Sequence, residues 1–449
     1  MGVLDARDRR ILALAVPALG ALAIEPIYVL IDTGIVGRLG TGPLGGLALA
    51  STVLSGVVWL SNFLTFGITS RVAFLTGQGD DAAAARTAGS GLWLAIGFGV
   101  PVASALGVWA RPLAWTLGGR GRVLAAATTY LHISVLGLPA VLLALVGHGY
   151  LRGRSDTRTP LRVVAASNLI NVALEVLFVY GLHWGVAGSA WGTVVAQAGS
   201  ALWFVLLIRK RAVPRLRPAW AETSRLLRDG WRITTRTLSI VAAFTMATSA
   251  AARLGTPVLA AHQITMQVFL LLALSVDALA VAAQALIGTS LGAGAPSDAW
   301  TTAGRTLRIG VMAGAVLGLL LVALSPVLPL AFTGDHAVTH NATVALVVLG
   351  VMQVPGAVAF ALDGVLMGAA DFRFQQWATA SALVALAPWM LLVITHQGLG
   401  IVGLWAGLAG WMTLRAGLNL SRCWVRLQVR NSEGPTEAPG MLPIGGPSF

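Results

Sequence analysis

Charged residues and cysteine are both scarce in this 449-residue chain. Only 10% of the residues are Asp, Glu, Lys or Arg, whereas 56% are hydrophobic, and the mean hydropathy is +0.80. A chain with this balance has too little polar surface for a water-soluble globular domain. The single cysteine, Cys423, excludes an internal disulfide and a cysteine-based metal site. The composition therefore indicates a membrane protein without a disulfide framework.

Motifs of catalysis and of nucleotide binding are missing as well. The chain has no HExxH, no GxSxG, no Walker lysine motif and no metal-spaced cluster of His and Cys. The sequence thus predicts no cofactor and no resident metal, and it predicts that any transport draws on an ion gradient. A membrane-embedded enzyme that modifies lipids remains an alternative, but it would need clustered His and Asp at one membrane face.

Long apolar runs fill most of the chain, each close to or above the ~20 residues that span a bilayer. We predict twelve membrane-spanning helices and hence an all-α integral membrane protein. The predicted spans are 11–36, 44–70, 87–110, 123–150, 160–182, 186–208, 230–252, 258–290, 301–325, 337–368, 375–396 and 400–424. The 53 glycines agree with close packing of helices in lipid.

The net charge of +13 is concentrated in alternate connections between the spans. Basic residues are densest in the central connection, which begins with residues 209–211. Segments 183–185, 334–341 and 396–399 hold no Lys or Arg. This is the positive-inside pattern for an even number of spans with both termini in the cytoplasm. The charge therefore predicts orientation in the cytoplasmic membrane of a prokaryote, with the bilayer rather than nucleic acid as partner.

The second half of the chain repeats the first at an offset of 215 residues. Arg38-Leu39-Gly40-Thr41 returns as Arg253-Leu254-Gly255-Thr256, and Gly185 and Gly188 return as Gly400 and Gly403. Each half holds six predicted spans, so the halves enter the membrane in the same orientation. They should be related by a pseudo-two-fold axis along the membrane normal, as in transporters whose site lies between two halves.

This repeat sets the predicted domains. We expect an amino-terminal six-helix lobe at 1–208, a cytoplasmic linker at 209–229, a second six-helix lobe at 230–428 and a disordered cytoplasmic tail at 429–449.

Ionisable residues inside spans are costly and mark functional sites. In the first span Glu25, Tyr28 and Asp32 follow three-and-four spacing, so they share one helix face. Pro17 and Pro26 should interrupt this span, because proline lacks an N–H and disfavours helical geometry just before it. A bent helix with a stripe of acid, phenol and acid predicts a moving part with a switchable charge.

The fifth span carries a second polar stripe. Asn168, Asn171 and Glu175 again share one helix face, and Thr193 follows in the sixth span. These groups could form a hydrogen-bonded pocket with Asp32, or the amides could simply join helices. Asp32 could bind and release H⁺. Alternatively, the side-chain oxygens of Asp32, Asn171 and Glu175 could bind Na⁺ as hard ligands. The sequence leaves both coupling ions open.

The second half differs in charge, since the offset places Ala247 opposite Asp32. It has its own candidates, which are His262, Gln263, Asp277 and Gln284. Asp277 aligns with Asn62, so both halves are polar at this position. Asp277 could contact substrate or help to close the bundle on the cytoplasmic side.

Two segments together carry a family resemblance. The first span reads PALGALAIEPIYVLIDTGIVGRLGT, and the eighth reads LAAHQITMQVFLLLALSVDALAVAAQALIGTSLGAG. The chain resembles the MATE (multidrug and toxic compound extrusion) family, DinF branch, over roughly residues 8 to 425. The resemblance implies two six-helix lobes around a V-shaped cavity. It also implies a coupling site in the first lobe at Asp32, Asn171, Glu175 and Thr193, where the branch often has Asp in place of Glu175.

The predicted function is an ion-coupled antiporter that exports amphipathic, cationic small molecules by alternating access, as a monomer. Proton or Na⁺ and the cationic substrate would compete for Asp32. The nearer alternative is a flippase for lipids or lipid-linked precursors. That alternative requires basic residues inside the cavity, for which Arg71 and Arg415 are the candidates.

Overall fold

Fifteen α-helices account for most of the described chain. The structure, a computed structural model, describes residues 5–211 and 219–432. The first half contains α1 (Ala6–Gly37), α2 (Thr41–Ser61), α3 (Phe63–Gly77), α4 (Asp81–Val108), α5 (Ala110–Thr116), α6 (Gly121–Ser134), α7 (Leu138–Gly153), α8 (Arg158–Val176) and α9 (Val186–Arg211). The second half contains α10 (Trp220–Leu254), α11 (Thr256–Gly292), α12 (Pro296–Leu324), α13 (His336–Gly368), α14 (Phe372–Thr395) and α15 (Gly400–Ser432).

These helices confirm the predicted membrane fold. Twelve segments of the described chain are long and apolar enough to cross a bilayer, six in each half. Helices α2 and α3 form one span, and α6 and α7 form another through a 3₁₀ turn at Val135–Gly137. The protein is therefore an all-α, multi-pass membrane protein built from two six-helix lobes.

The repeat is visible in the backbone as well as in the sequence. Residues with positive φ recur 215 positions apart at Gly40 and Gly255 (114° and 115°), Gly79 and Gly294 (76° and 69°), Ser155 and Ala370 (57° and 54°), and Gly185 and Gly400 (57° and 48°). Side chains other than glycine rarely adopt this region, so the agreement at Ser155 and Ala370 is specific. Corresponding connections of the two halves therefore share one backbone geometry.

The observed helices extend into the segments predicted as linker and tail. Helix α9 extends to Arg211 and α10 already begins at Trp220. The polar start of α10 is helical because its charges pair along the helix, Arg225 with Glu222 at 3.7 Å and Arg232 with Asp229 at 3.3 Å. Helix α15 continues to Ser432. Residues 212–218 and 433–449 lie outside the described residues.

The first span is one continuous helix despite its two prolines, and bending at them stays a prediction. Helix α1 runs without a break from Ala6 to Gly37, with Pro17 and Pro26 inside it. Each proline removes one backbone hydrogen bond, and packed membrane helices tolerate such a loss. The two prolines remain positions at which the helix has fewer internal bonds to restrain it.

The two halves meet at the end of the bundle that holds connections 78–80, 154–157, 293–295 and 369–371, which we call the basic end. Here α3 and α11 approach so closely that a side chain at Gly77 would overlap the Thr289 carbonyl group, and one at Gly292 would overlap that of Phe74. We call this contact between the halves the seam. Small residues permit such close approach where lipid provides no hydrophobic driving force.

Hydrogen bonds reinforce the seam. The side-chain amide of Gln284 on α11 donates to the Phe66 carbonyl oxygen and to Oγ of Ser70, both at 2.8 Å. Ser70 in turn donates to the Met367 carbonyl oxygen of α13 at 2.7 Å. Three helices from the two halves are thereby joined by neutral hydrogen bonds.

Ion pairs surround the seam on the same side. Arg7 pairs with Asp298 at 2.7 Å, and Arg71 pairs with Glu222 at 3.0 Å. Arg305 pairs with Asp5 at 3.0 Å and with Asp8 at 3.3 Å. Each pair joins a residue of the first half to one of the second. The basic end is therefore closed in this structure.

Helix α1 belongs to the seam at one end and to its own half at the other. Ile11 and Ala15 pack against Leu279 and Ala282 of α11, and Ala18 follows them along the same contact. Further along, the buried side chains of α1 face α8 and α9 instead. This change of partner places the polar stripe of α1 inside the first half.

We expect Gly77→Ala to disturb the seam, because its Cβ would overlap the backbone of α11. Overpacking of this kind costs ~1–3 kcal/mol, so the apparent melting temperature in detergent should fall. Gly304→Ala is the matched control, since a Cβ there has open space around it. Alanine favours a helix over glycine, so the control should melt at the same temperature or slightly higher. Equal melting temperatures for the two variants would contradict the close contact.

Candidate functional site

A cluster of hydroxyl and carboxyl groups lies between α1, α8 and α9 of the first half. Ser189 on α9 donates its hydroxyl hydrogen to Oδ1 of Asp32 over 2.8 Å. The same hydroxyl lies 3.3 Å from Oε1 of Glu175 on α8. All three side chains are buried. The three helices therefore hold two acids around one hydroxyl group.

Tyr28, one helical turn before Asp32, extends this cluster. Its hydroxyl donates to Oε1 of Glu175 over 2.7 Å and lies 3.1 Å from Oγ1 of Thr193. Asn171, one turn before Glu175 on α8, reaches the same Thr193 hydroxyl at 3.5 Å. The polar stripes of α1 and α8 therefore face each other, and α9 completes the cluster.

The two acids are close enough to share one positive charge. Both acids lie next to one hydroxyl group, since Oδ1 of Asp32 is 2.8 Å and Oε1 of Glu175 is 3.3 Å from Oγ of Ser189. They repel when both are ionised, and distance from water strengthens that repulsion. Oε2 of Glu175 and Oδ1 of Asn171 are buried without a hydrogen-bond partner in the described chain. Since buried acceptors need partners, this cluster is suited to take up a proton or a small cation.

Local backbone features bring the helices to this spacing. A side chain at Gly192 would lie 3.1 Å from Cγ of Glu175, so glycine lets α9 approach the acid closely. Directly after α8 the chain forms a π-helical turn at Leu177–Gly181. Within it, Tyr180 donates to the Ile35 carbonyl oxygen of α1 at 2.8 Å. Wide turns of this type are frequent at functional sites, and this one ties α8 to α1 beside the acids.

Two of the predicted first-lobe residues lie outside the cluster. Asn168 donates to the Val164 carbonyl oxygen of its own helix at 2.9 Å, so its amide is already used there. Glu25 is exposed and has no hydrogen bond or ion pair within the described residues. The structure thus gathers Tyr28, Asp32 and their partners on α8 and α9 but separates Glu25 from them.

Sequence reasoning missed two members of the cluster. Ser189 bridges both acids, and its position four residues before Thr193 puts it on the same face of α9. Tyr130 on α6 is buried and packs in one cluster with Val36 of α1 and with Ala190 of α9, which directly follows Ser189. The spacing of Ser189 was a usable signal. Tyr130 comes from a helix that carries no polar stripe, so only packing reveals it.

The second half has no counterpart of this cluster. The residues 215 positions after Tyr28, Asp32, Asn171, Glu175, Ser189 and Thr193 are Ala243, Ala247, Leu386, Met390, Leu404 and Leu408. All six are buried in one hydrophobic core. The asymmetry predicted at Ala247 therefore extends to the whole constellation.

The predicted second-lobe residues lie in separate environments. His262 is buried, 3.1 Å from the Thr248 hydroxyl and 5.6 Å from the Trp405 ring. Gln263 is exposed, and Gln284 belongs to the seam. Asp277 is half-buried and makes no hydrogen bond in the described part of the chain. These four residues do not form a single site.

A different polar cluster lies in the second half around Asp363, an ionisable residue within the tenth span whose partners the sequence did not predict. Its Oδ2 accepts hydrogen bonds from Arg236 at 2.5 Å and from Arg415 at 2.7 Å. Its Oδ1 accepts from Asn419 at 2.8 Å and from Gln375 at 3.3 Å. All five side chains are buried. This carboxylate is fully bonded, so it has no free lone pair to offer a cation.

Comparison with known proteins places the fold in a recognised group. The MatE family model matches residues 17–177 and 233–390. The DNA damage-inducible protein F of Escherichia coli is 31% identical over 437 residues, which cover 95% of this chain and 94% of that protein. The chloroplastic protein DETOXIFICATION 45 of Arabidopsis thaliana is 30% identical over 92% of this chain and 78% of its own length.

A solved structure agrees over nearly the whole chain. A transporter of the MOP superfamily from Pyrococcus furiosus superposes with a TM-score of 0.87 and 21% identity. The match covers 95% of this chain and 97% of that one. At this identity the likeness supports the fold alone.

Replacing Asp32 by Asn should stabilise the first half at high pH. The variant keeps an acceptor for Ser189 but removes one of two adjacent acids, and with it their repulsion. In the unchanged protein, protonation at low pH relieves the same repulsion. The gain in melting temperature should therefore be several degrees at pH 9 and small at pH 5.

Thermal melting at both pH values measures this effect, with Asp81→Asn as a control that removes an exposed acid of the first half. A gain that is equal at the two pH values, or equal in the control, would argue against repulsion between the buried acids.

Proposed function

Since this chain belongs to the MatE family of multidrug efflux transporters, we propose that it is an ion-coupled antiporter that exports amphipathic, cationic small molecules. The family consists of transporters rather than enzymes, and this chain is a multi-pass membrane protein of that fold. The coupling ion, H⁺ or Na⁺, and the substrate class are the proposed part.

The observation that carries the proposal is the pair of buried acids at Asp32 and Glu175. Hydroxyl groups donate to these acids, and no basic side chain hydrogen-bonds to either of them in the described chain. An acid pair inside a membrane protein needs a positive charge for balance. With no basic side chain to provide it, the charge comes from a mobile ion or from the substrate.

Competition for this pair is sufficient for antiport. A proton that binds Asp32 removes the charge that attracts a cationic substrate, so the substrate leaves when the proton arrives. A cation bound from the other side requires the proton to have left. When each ligand favours a different state of the two-lobe assembly, the ion gradient drives export.

Sodium is the second coupling ion that the cluster can accept. The carboxyl groups of Asp32 and Glu175 and the side-chain oxygen of Asn171 are hard oxygen donors of the type that such cations prefer. The Asn171 oxygen and one Glu175 oxygen have no other partner in the described chain. Na⁺ would take the place of H⁺ without any change in the rest of the cycle.

Orientation follows from the charge of the connections. The basic end would face the cytoplasm of a prokaryotic cell, with both termini on that side. Because this end is closed by the seam, the structure would correspond to an outward-facing state. We propose that one copy of the chain, with its two lobes, forms the complete transporter.

The flippase alternative has less support. Its candidate basic residues are both bonded to acids, Arg71 to Glu222 at 3.0 Å and Arg415 to Asp363 at 2.7 Å. Neither guanidinium group is therefore available to a lipid phosphate without the loss of an existing ion pair. The acid pair of the first half favours a cationic substrate instead.

The test is movement of ethidium in proteoliposomes after an imposed pH gradient in Na⁺-free buffer. The unchanged protein should move the dye against its gradient, whereas Asp32→Asn should fall to the level of protein-free liposomes. Asp81→Asn, which changes an exposed acid far from the cluster, should transport as the unchanged protein does.

A second condition separates the two coupling ions. If a Na⁺ gradient drives ethidium movement and a pH gradient does not, the coupling ion is Na⁺ and the site assignment is retained. If Asp32→Asn still drives ion-coupled transport at the normal rate, the acid pair is not the coupling site. If neither gradient drives ethidium movement, the proposed cationic substrate class is wrong.

A further inference from the structure

A cavity of about 270 Å³ lies at the basic end, between α1 and the connection 154–157. Its lining residues come from α1, from this connection and from the first position of α8, and they are Ala13, Leu14, Ser155, Asp156, Thr157 and Arg158. A water molecule takes up ~30 Å³ in the liquid, so the cavity has room for a larger group. The α1 wall is apolar and the opposite wall is polar. None of these residues belongs to the acid cluster.

The Thr157 hydroxyl is the most informative group in this cavity. Thr157 occupies the N-cap position of α8, where a threonine oxygen normally accepts from the N–H of the second or third helical residue. Here Thr159 donates its N–H to Asp156 instead, and Pro160 has no N–H. Thr157 is only 2% exposed, and its hydroxyl has no hydrogen-bond partner in the described chain. Because a buried hydroxyl without a partner is costly, it points to a ligand in the cavity that it lines.

Further hydrogen-bond donors border the same cavity. The Ser155 hydroxyl makes no hydrogen bond within the described residues. The backbone N–H of Arg158 is the first of α8 and therefore has no partner inside the helix. Helix α8 has 19 residues, and the start of such a helix carries a partial positive charge. Hydroxyl, backbone N–H and guanidinium donors at a helix N-terminus are suited to the acceptor oxygens of a phosphate group.

Positive charge exceeds negative charge around the cavity. Arg10 lies one turn before the α1 wall, and Arg162 lies one turn after Arg158 on α8. All three are exposed, and none has an ion pair or side-chain hydrogen bond in the part of the chain that the structure describes. Asp156 also lines the cavity, but both of its oxygens accept from Thr159, at 2.9 and 2.7 Å. The remaining charge therefore attracts an anion.

The second half fills the corresponding place with an apolar side chain. Ser155 and Ala370 share the same positive φ, 57° and 54°, so the two connections have one backbone geometry. Thr157 corresponds to Phe372, which is buried in a cluster with Ile233 of α10. The hydroxyl and the cavity that it lines are therefore not requirements of the fold.

We propose that this cavity binds a phosphate group, supplied by the headgroup of an anionic phospholipid in the leaflet at the basic end. The hydroxyl, backbone and guanidinium donors bind the phosphate oxygens, and Arg10 and Arg162 add to the attraction. The apolar wall at Ala13 and Leu14 favours a lipid over free phosphate, because glycerol and acyl chains can lie against it. A bound phosphate joins α1 to the start of α8. The site is separate from the acid cluster and does not depend on the proposed transport.

Native mass spectrometry of the full chain in an uncharged detergent tests the charge requirement, with dioctanoyl phosphatidylglycerol as the probe. The unchanged protein should bind one lipid more tightly than any others, and Arg158→Gln should raise the Kd of that lipid about tenfold. Arg373→Gln is the matched control, since it removes an exposed arginine at the equivalent position of the second half. Equal Kd values for Arg158→Gln and the unchanged protein would overturn the proposal.

The variant Thr157→Val distinguishes a binding role from a structural one. It keeps the shape of the side chain and removes an unpartnered buried hydroxyl, so the melting temperature without lipid should stay equal or rise. The Kd of the tightly bound lipid should nevertheless increase ~5-fold. Thr413→Val, which removes an exposed hydroxyl of α15 that bonds to its own helix, is the control. If Thr157→Val binds the lipid as tightly as the unchanged protein does, the hydroxyl does not contact the phosphate and the proposed site is wrong.

Two further probes identify the source of the phosphate. Dioctanoylglycerol lacks the phosphate and should bind much more weakly, whereas a Kd equal to that of the phospholipid would contradict phosphate recognition. Inorganic phosphate at the lipid concentration should not displace the lipid. If it does displace the lipid, the cavity still binds phosphate, but the free ion rather than a lipid is its ligand. Because all of these measurements are made without transport, failure of the antiport proposal would leave their outcome unchanged.

Discussion

A carboxyl group inside a bilayer must be neutralised by its surroundings, and the two halves of this protein do so in opposite ways. Asp363 is neutralised permanently by Arg236 and Arg415, with two amides filling its other lone pairs. Asp32 and Glu175 receive only hydroxyl donors, and one oxygen of Glu175 has no partner in the described chain. A carboxylate with fixed counter-charges is inert, whereas an acid pair without them depends on what it binds. The repeated helices place these two kinds of acid cluster in two halves that share one backbone arrangement.

Duplication explains the backbone geometry that the two halves share. Divergence of their side chains explains why only the first half carries the acid pair. Positive φ angles recur at the same offset in both halves, so the connections have kept their geometry. The positions that carry the acid cluster in the first half carry only apolar side chains in the second. Conversely, the position of Asp363 corresponds to His148, whose ring packs 4.8 Å from Phe204. Each half has therefore kept one polar cluster, at a different depth, and filled the other position with a packed core.

The features that could be predicted from the sequence are those set by local residue patterns and by the repeat. Span lengths, the repeat and the stripes at Tyr28 and Asp32 depend on residues close in sequence or at a fixed offset. The partners of Asp363 were not predictable in this way, because Arg236 lies 127 positions away and Arg415 lies 52 away. Contacts of this type depend on which helix faces meet. Glu25 shows the converse case, because it has the spacing of the stripe but lies exposed, apart from the cluster. Periodicity identifies a helix face, and only packing decides what that face meets.

Helix α1 links the site to the seam, and this sets how an ion could control access. Its basic end packs on α11 of the second half through Ile11 and Ala15, while its other end bonds to α8 and α9 through Tyr28 and Asp32. Pro17 lies beside the contact with α11, and Pro26 lies just before Tyr28. Each proline removes a backbone hydrogen bond, which lowers the free-energy cost of a change in helix direction there. Under the proposed mechanism, an ion at Asp32 alters the bonds that hold one end of a helix whose other end closes the protein. The seam itself is held by small residues and neutral hydrogen bonds around Gln284, so separating it exposes few groups that water cannot satisfy. Coupling then requires no long chain of contacts between distant sites, because the ion site and the closure share one helix.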